Sequence, residues 1–385
     1  MNICFIGFYG EETVDGVSTS AFALARELVR QGDTVWFYSR GPKTETYTDA
    51  WGIRHRRFQG DKMKFDLPGA LVRIIQDNTD QVDIFHLHSV FIPFNARMAQ
   101  VLNRYRRPYV ITPNGGYNEH ILRRNPLKKA IYRLLFENSL VKNASGAVCV
   151  AEPEVRDLRN MGFQGPLGLV PNPVDVPEEE SGITISPAGS LRMLYLGRYD
   201  IEHKGLDHLL AIFAEVVKQL PDARLDLYGR GPDETVLRQQ ASARPEGSVT
   251  FHGPVFGPPK WQAFRDCSLY IQTSRWEAFG VSIGEAMLMS RPVALSKGCY
   301  LSGLLSQNHA GLVLEEAASR AAEQIVKAHS TTDWVISQGS LCRQIAQREF
   351  VVSHVANKLR SFYESVLPAP KPESRGHEAP VSSSH

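Results

Sequence analysis

The chain has 385 residues, 43% hydrophobic and 22% charged, which is ordinary globular composition and length for about two domains. Its 43 basic and 41 acidic residues leave a formal charge of +2, so overall charge makes no case for nucleic acid as a partner. No stretch approaches the roughly 18–20 uninterrupted apolar residues of a membrane span. The five scattered cysteines form no CxxC pair and have no histidine at zinc-ligand spacing, which fits reduced thiols in a cytoplasmic protein. The N-terminus, MNICFIGFYG, runs straight into a strand pattern without a basic n-region or cleavage site, so no signal peptide is expected.

Short apolar runs then alternate with amphipathic stretches, the pattern of βα units on a parallel sheet. NICFIGF reads as the first buried strand, and Val17 to Gln31 as a helix carrying Phe22, Leu24, Ala25 and Leu28, with Gly32 at its stop. TVWFYS, VDIFHLHS, RPYVITP and GAVCVAE are the further strands of this half. In VDIFHLHS the alternation is read as placing His86 and His88 on opposite faces, unable to hold one metal together, each more simply a core histidine. Residues 121–143 combine Arg123, Arg124, Lys128, Lys129 and Arg133 with Ile131, Leu134, Leu135 and Phe136. A solvated domain helix is the expectation there, against the rival of peripheral contact with an anionic membrane through 121–136.

A Pro-rich, acidic connector, LVPNPVDVPEEESG, separates this half from a second series. LRMLYLG, ARLDLYG, SVTFHG, CSLYIQTS and RPVALS are its strands, with helices around Leu206–Gln219, Pro259–Asp266 and Ser282–Met289. Two similar α/β halves invite a ligand cleft between them, beyond the carboxyl ends of their strands. From Pro368 the chain is Pro, Ser and charge without apolar period, so the tail 368–385 is expected to be disordered.

The segment Trp276-Glu277-Ala278-Phe279-Gly280-Val281-Ser282-Ile283-Gly284-Glu285-Ala286-Met287 carries the clearest chemistry. Two carboxylates bracket a glycine turn at a helix start. A helix start offers amides to phosphate or hydroxyl oxygens, and a carboxylate accepts paired hydrogen bonds from vicinal hydroxyls. The bland alternative is a capping box, Ser282-x-x-Glu285. In the first half, Gly7, Gly10 and Gly16 punctuate the loop after the first strand, but GxGxxG is absent and no acidic residue follows TVWFYSR. A nicotinamide dehydrogenase is thereby excluded.

Glu277 and Glu285, with Phe279-Gly280, resemble the E-x7-E pattern of the family-4 retaining glycosyltransferases of GT-B fold. Gly197-Arg198-Tyr199-Asp200-Ile201-Glu202-His203-Lys204-Gly205 is similar to that family's diphosphate-binding G-R to K-G segment. Pro171-Asn172-Pro173-Val174-Asp175 is similar to its interdomain linker. The resemblance covers roughly residues 1–366.

It implies an α/β fold of GT-B type, two facing Rossmann-like domains with an interdomain cleft. The expected parts are an acceptor-side domain over 1–172, a donor domain over 173–350, and a helix over 351–367 that returns to the first domain. As catalytic groups it implies Glu277 on the transferred sugar, with Arg198 and Lys204 holding the diphosphate. Donor binding would fall to Glu285 on the ribose, the amides of Ala278, Phe279 and Gly280, and Gly16 near the phosphate. Backbone near Gly197, Gly229 and Val255 would face the nucleotide. Where the family often has a histidine after this strand, the chain reads Thr112-Pro113-Asn114. Asn114 hydrogen-bonds but is no general base, which leaves His88, His120 or the donor phosphate to receive the acceptor proton.

The implied activity is transfer from a nucleotide diphospho-sugar, as co-substrate and without other cofactor or metal, to a glycan, lipid-linked or small-molecule acceptor. The rivals are a nucleotide-sugar epimerase or a phosphorylase of similar fold, and a non-catalytic sugar-nucleotide-binding protein. Product analysis with a nucleotide sugar separates all of these.

Overall fold

The structure, a computed structural model, describes residues 1–7, 16–61, 64–177, 180, 189–331 and 333–368. Gly10, Glu178 and Glu179 of the connector, and residues 369–385 of the predicted tail lie outside the described residues. The first half contributes β1 Asn2–Ile6, β2 Thr34–Gly41, β3 Glu45–Thr48, β4 Arg54–Gln59, β5 Ile84–His88, β6 Tyr109–Thr112, β7 Gly146–Cys149 and β8 Leu167–Leu169. They form one sheet in the order β3-β4-β2-β1-β5-β6-β7-β8. All pairs are parallel except β3 with β4.

The second half contributes β9 Arg192–Leu196, β10 Arg224–Tyr228, β11 Val249–His252, β12 Leu269–Gln272, β13 Val293–Ser296 and β14 Leu312–Leu314. Their order is β11-β10-β9-β12-β13-β14, parallel throughout. Strands covered by helices on both faces are apolar runs rather than alternations, and β5, β6, β7 and β12 are buried at every residue. In each sheet the winding reverses beside the first strand, between β1 and β5 and between β9 and β12. Loops diverge there, and a crevice opens at the carboxyl ends.

Helix Val352–Val366 returns to the first half. Its Val355, Leu359, Phe362 and Tyr363 follow helical spacing and join the core of Ile3, Phe5, Ala21 and Leu24. Phe362 packs over Gly146 and Gly168. The Tyr363 hydroxyl lies 2.6 Å from His86 Nδ1, and Thr112 Oγ1 lies 2.5 Å from His86 Nε2. The expectation that His86 and His88 face opposite sides is therefore overturned. Residues two apart on a strand share a face, and the two rings lie 4.1 Å apart.

Two further expectations change. The single helix anticipated over 121–143 is broken into Glu119–Arg123, Pro126–Tyr132, a π turn at Arg133–Glu137 and Asn138–Lys142. Asn125 with φ 51° and Pro126 interrupt it. Leu140 and Val141 at its end are buried, but Leu127, Ile131, Leu134 and Leu135 are not turned inward, at 73%, 52%, 77% and 58% exposure. Strands β3, β4, β8 and β14 were absent from the predicted set. ETYT and RHRRFQ carry too much polar and charged character to read as strands, and β8 and β14 have three residues each.

The buried imidazoles make stability pH-dependent. Desolvation lowers the pKa of both, His88 to about 3 and His86 well below its usual value, the latter also because of its neighbour His88. The unfolded chain takes up these protons below about pH 6.5, whereas folded His88 does so only near 3. Stability present above about 6.5 is thus lost across that window as pH falls, at up to about 1.4 kcal/mol per pH unit for each imidazole. Urea unfolding at about pH 7 and about pH 5.5 should show the loss, and His88→Gln should reduce its slope by about half. Equal slopes in the two proteins would place the titrating groups elsewhere.

Candidate functional site

The reversal between β9 and β12 places the loop after β9, which carries Gly197 to Gly205, beside the loop after β12, which carries Thr273 to Gly280. Gly205 locks the two together. It has φ 62°, and a Cβ there would fall 2.2 Å from the carbonyl oxygen of Thr273, so only glycine allows the approach. The Thr273 hydroxyl donates to the Gly205 carbonyl at 2.9 Å, and the Arg275 amide donates to the His203 carbonyl at 2.9 Å.

This brings Lys204 onto Glu277, to whose Oε2 its ammonium donates. The same oxygen accepts from Gln272 Nε2 at 2.9 Å and from Ser274 Oγ at 3.5 Å. Lys204 and Glu277 side chains are 15% and 12% exposed, which gives this pair a weight that a solvated pair lacks. Arg198, 59% exposed, donates to Asp200 at 2.8 Å, while Asp200 caps the short turn Ile201–Lys204 through the His203 amide. Burial pulls the His203 imidazole down to about 4, with Lys204 beside it.

Helix Val281–Leu288 starts at Gly280, with no side-chain cap. The capping-box alternative is overturned. Ser282 Oγ lies 2.7 Å from the Tyr270 hydroxyl and donates to the Leu196 carbonyl, and Glu285 is held by Lys260 Nζ at 2.8 Å. Burial raises the Glu285 carboxyl above its usual range, against the pull of Lys260. Phe279 turns its ring into the core against Phe350, so only its backbone faces the loop. Gly16 opens helix Gly16–Arg30 and faces the Val281 side chain, so two helix starts meet across the cleft. Gly229 packs on the Gly197 carbonyl, and a separate recess by Gly229, Gly231 and Gly253 lies next to half-buried Val255.

Opposite Glu277, the first half supplies the loop after β6. Asn114, Gly115 and Asn118 line a pocket of about 80 Å³ together with Trp276, Glu277 and Tyr300. His120 stacks on Trp276 at 5.1 Å, and His203 does so at 4.8 Å. His120 is exposed at the rim. His88 does not reach the pocket: it is 7% exposed, at the end of β5 against Phe5 and His86. With its pKa near 3 it is a poor proton acceptor.

The structure thus gathers Glu277, Ala278 and Asn114 at one pocket, with Lys204 held on Glu277, Arg198 and Gly197 on the same loop as Lys204, and Glu285 farther along the helix that starts at Gly280. Gln272, Ser274, Lys260, Asn118 and Tyr300 were given no role by sequence reasoning. For Gln272 and Ser274 a signal existed: polar residues two apart at the carboxyl end of an apolar strand.

Comparison with known proteins bears on the family and the fold. Residues 14–178 match the Glycosyltransferase Family 4 model, and residues 190–331 match Glycosyl transferases group 1. An uncharacterized 41.2 kDa protein in the cps region of Klebsiella pneumoniae is 23% identical over 297 residues, 74% of this chain and 80% of that one. Phosphatidyl-myo-inositol mannosyltransferase of Mycobacterium leprae is 30% identical over 200 residues, 51% of this chain and about half (53%) of that protein's length. Anabaena HepE, solved with UDP and glucose, superposes with a TM-score of 0.72 at 19% identity, over 95% of this chain and 100% of that one. With a family-4 glycosyltransferase domain followed by a glycosyltransferase group 1 domain on a GT-B fold, the chain belongs to the GT-B glycosyltransferases.

Proposed function

We propose that this glycosyltransferase moves a sugar from a nucleotide diphospho-sugar to an acceptor hydroxyl with the anomeric configuration retained and without a metal ion. The observation that carries the proposal is the Lys204–Glu277 pair at the reversal point of the donor-side sheet, facing Asn114 and Gly115 across a small pocket. Glu277 would engage the hydroxyls of the transferred sugar. Lys204 and Arg198 would hold the departing diphosphate, whose growing charge fixed cations stabilise more in the transition state than before it.

The starts of helices Gly16–Arg30 and Val281–Leu288 add amides at the same place. Glu285 would take the ribose, and backbone at Gly197, Gly229 and Val255 the base. Asn114 and His120 would border sugar and acceptor, and with His88 a poor base, the leaving phosphate itself would receive the acceptor proton. UDP and glucose in HepE support the choice of donor class.

Glu285→Ala should weaken nucleotide diphosphate binding about ten-fold or more, since hydrogen bonds to a charged group contribute about 1.5–3 kcal/mol. Glu277→Gln should leave that affinity near parental while suppressing turnover. Calorimetry on both variants separates the roles; unchanged affinity in Glu285→Ala would remove it from the ribose site.

Turnover should survive excess EDTA, and Arg198→Ala should lower it roughly a hundred-fold, as loss of one charge-stabilising donor does elsewhere. NMR of the first product should show the donor's anomer. Inversion, or activity restored only by Mn²⁺, would overturn this mechanism, and an epimerised or phosphorolysed product would move the chain to another enzyme class.

The acceptor side carries a further feature. Leu127, Ile131, Leu134 and Leu135 are exposed on a segment that also carries Lys128 and Arg133, and Phe65, 39% exposed, packs on its Tyr132 and Phe136. We infer that 121–136 lies on the anionic inner face of the cytoplasmic membrane, where the acceptor would be a lipid-linked glycan. No helix among the described residues is long and apolar enough to cross a membrane, so contact would be peripheral. Each buried Leu or Ile contributes about 1.5–3 kcal/mol, and each cation about 1 kcal/mol near an anionic surface. The chain should sediment with phosphatidylglycerol vesicles, weakly with phosphatidylcholine vesicles, and Leu134→Ser with Leu135→Ser should abolish the difference. Equal sedimentation of parent and variant would sink the membrane assignment.

A further inference from the structure

The pocket wall contributed by the first half is the tight loop after β6. Asn114 sits at φ 52° and Gly115 at φ 78°. Gly115 is pressed against the donor-side loop, where a Cβ would fall 2.8 Å from the Cβ of Ala278. Backbone in these conformations persists only where its surroundings hold it. The holder is Glu154, on helix Glu152–Asn160 behind the wall.

Glu154 is 1% exposed. One carboxylate oxygen accepts the Gly115 amide, and the other accepts the Val150 amide at 2.7 Å. The second bond reaches back four residues to the turn between β7 and the helix, a local structural brace. The first has no such local purpose, since it spans 39 residues to reach the pocket wall.

One turn on, Asp157 holds the same wall from another side. The Tyr300 hydroxyl donates to Asp157 at 3.1 Å and accepts from Asn118, while the Tyr300 amide donates to the Glu277 carbonyl at 2.9 Å. The acidic face of this helix is therefore joined to Asn114, Gly115 and Asn118 on one side of the pocket and to Glu277 on the other.

We propose that Glu154 is a positioning residue for glycosyl transfer: by holding the Gly115 amide it keeps Asn114 at the pocket and the wall against Ala278. The role rests on the functional reading given above. It needs the ionised form. A carboxylate offers strong acceptors to both amides, whereas protonation turns one oxygen into a donor and a much weaker acceptor, so one of the two amide bonds is loosened.

Burial pushes this carboxyl up to about 7, despite the two amides that favour its charge, so the change of form falls near neutral pH. The titratable groups facing it are Asp157 on its own helix, Cys149 at the end of β7 and Tyr300 from the other half. The Cys149 thiol is raised to about 12 by burial and stays protonated, and the Tyr300 phenol is raised as well. Neither changes charge near 7.

Turnover in the parent should fall on the acid side of about pH 7 with the slope of one proton. Glu154→Gln should lower kcat roughly ten-fold, the loss expected when a buried amide is left without its acceptor. It should also remove that acid limb and leave the affinity for free nucleotide diphosphate unchanged. A purely local brace on the Val150 amide would lower the melting temperature and keep the limb. Selective ¹⁵N-glycine spectra of the parent chain give a second measurement that needs no variant to fold, and the Gly115 amide should shift with the same midpoint.

An acid limb that survives in Glu154→Gln, or a Gly115 amide that does not titrate, overturns the role. A parent chain inactive with every nucleotide diphospho-sugar overturns the functional reading itself, and this role with it.

Discussion

Both sheets reverse their winding beside the first strand of their half, and the chemistry of the cleft depends on that reversal. Between β9 and β12 it sets two loops side by side that lie 68 residues apart at Gly205 and Thr273. Gly205 then decides how close they come, because any side chain there would meet the Thr273 carbonyl. With that approach made, Lys204 and Glu277 become neighbours without any further device. The reversal between β1 and β5 does the corresponding work on the other side, since the helix that follows β1 starts at Gly16, which meets the start of helix Val281–Leu288.

Among the described residues, the main charges at the cleft are paired. Lys204 sits on Glu277, Lys260 on Glu285, Arg198 on Asp200, and Arg124 across the cleft on Glu202. Burying an unpaired charge costs several kcal/mol, so the partly enclosed pairs hold one another in place. Glu154 follows the same logic with backbone amides instead of a cation, and burial raises its carboxyl in spite of them.

The two halves are joined in unlike ways on their two sides. Helix Val352–Val366 buries Leu359, Phe362 and Tyr363 in the first half's core, a large apolar contact that favours a fixed attachment. At the cleft the contacts are the His120–Trp276 stack, the Asn118–Tyr300–Asp157 chain and the Arg124–Glu202 pair. Beside them stand the close approaches of Gly115 to Ala278 and Gly16 to Val281; the polar ones can be exchanged for water or substrate at modest cost. Opening at the cleft about an attachment at the helix is the motion this division permits.

The amino-acid sequence by itself determined the alternation of buried strands and helices, the two halves, and the segments that carry Glu277, Glu285, Arg198 and Lys204. These are local properties: apolar runs such as YVIT and GAVC, a glycine after a helix, a carboxylate beside a turn. Hydrophobic pattern did not reveal the charged β3–β4 edge, because in RHRRFQ only His55 and Phe58 are buried, while Arg56 and Arg57 pair with Asp80 and Glu45. Nor did it settle His86, whose partners Thr112 and Tyr363 stand 26 and 277 residues away.

Only the tertiary structure decided that Glu285 answers to Lys260 rather than to its own helix start, and that Lys204 meets Glu277. The same holds for Glu154, which reaches the pocket wall through Gly115. Each of these contacts joins residues brought together by strand order or helix packing, and such proximity leaves no mark in the spacing of residues along the chain.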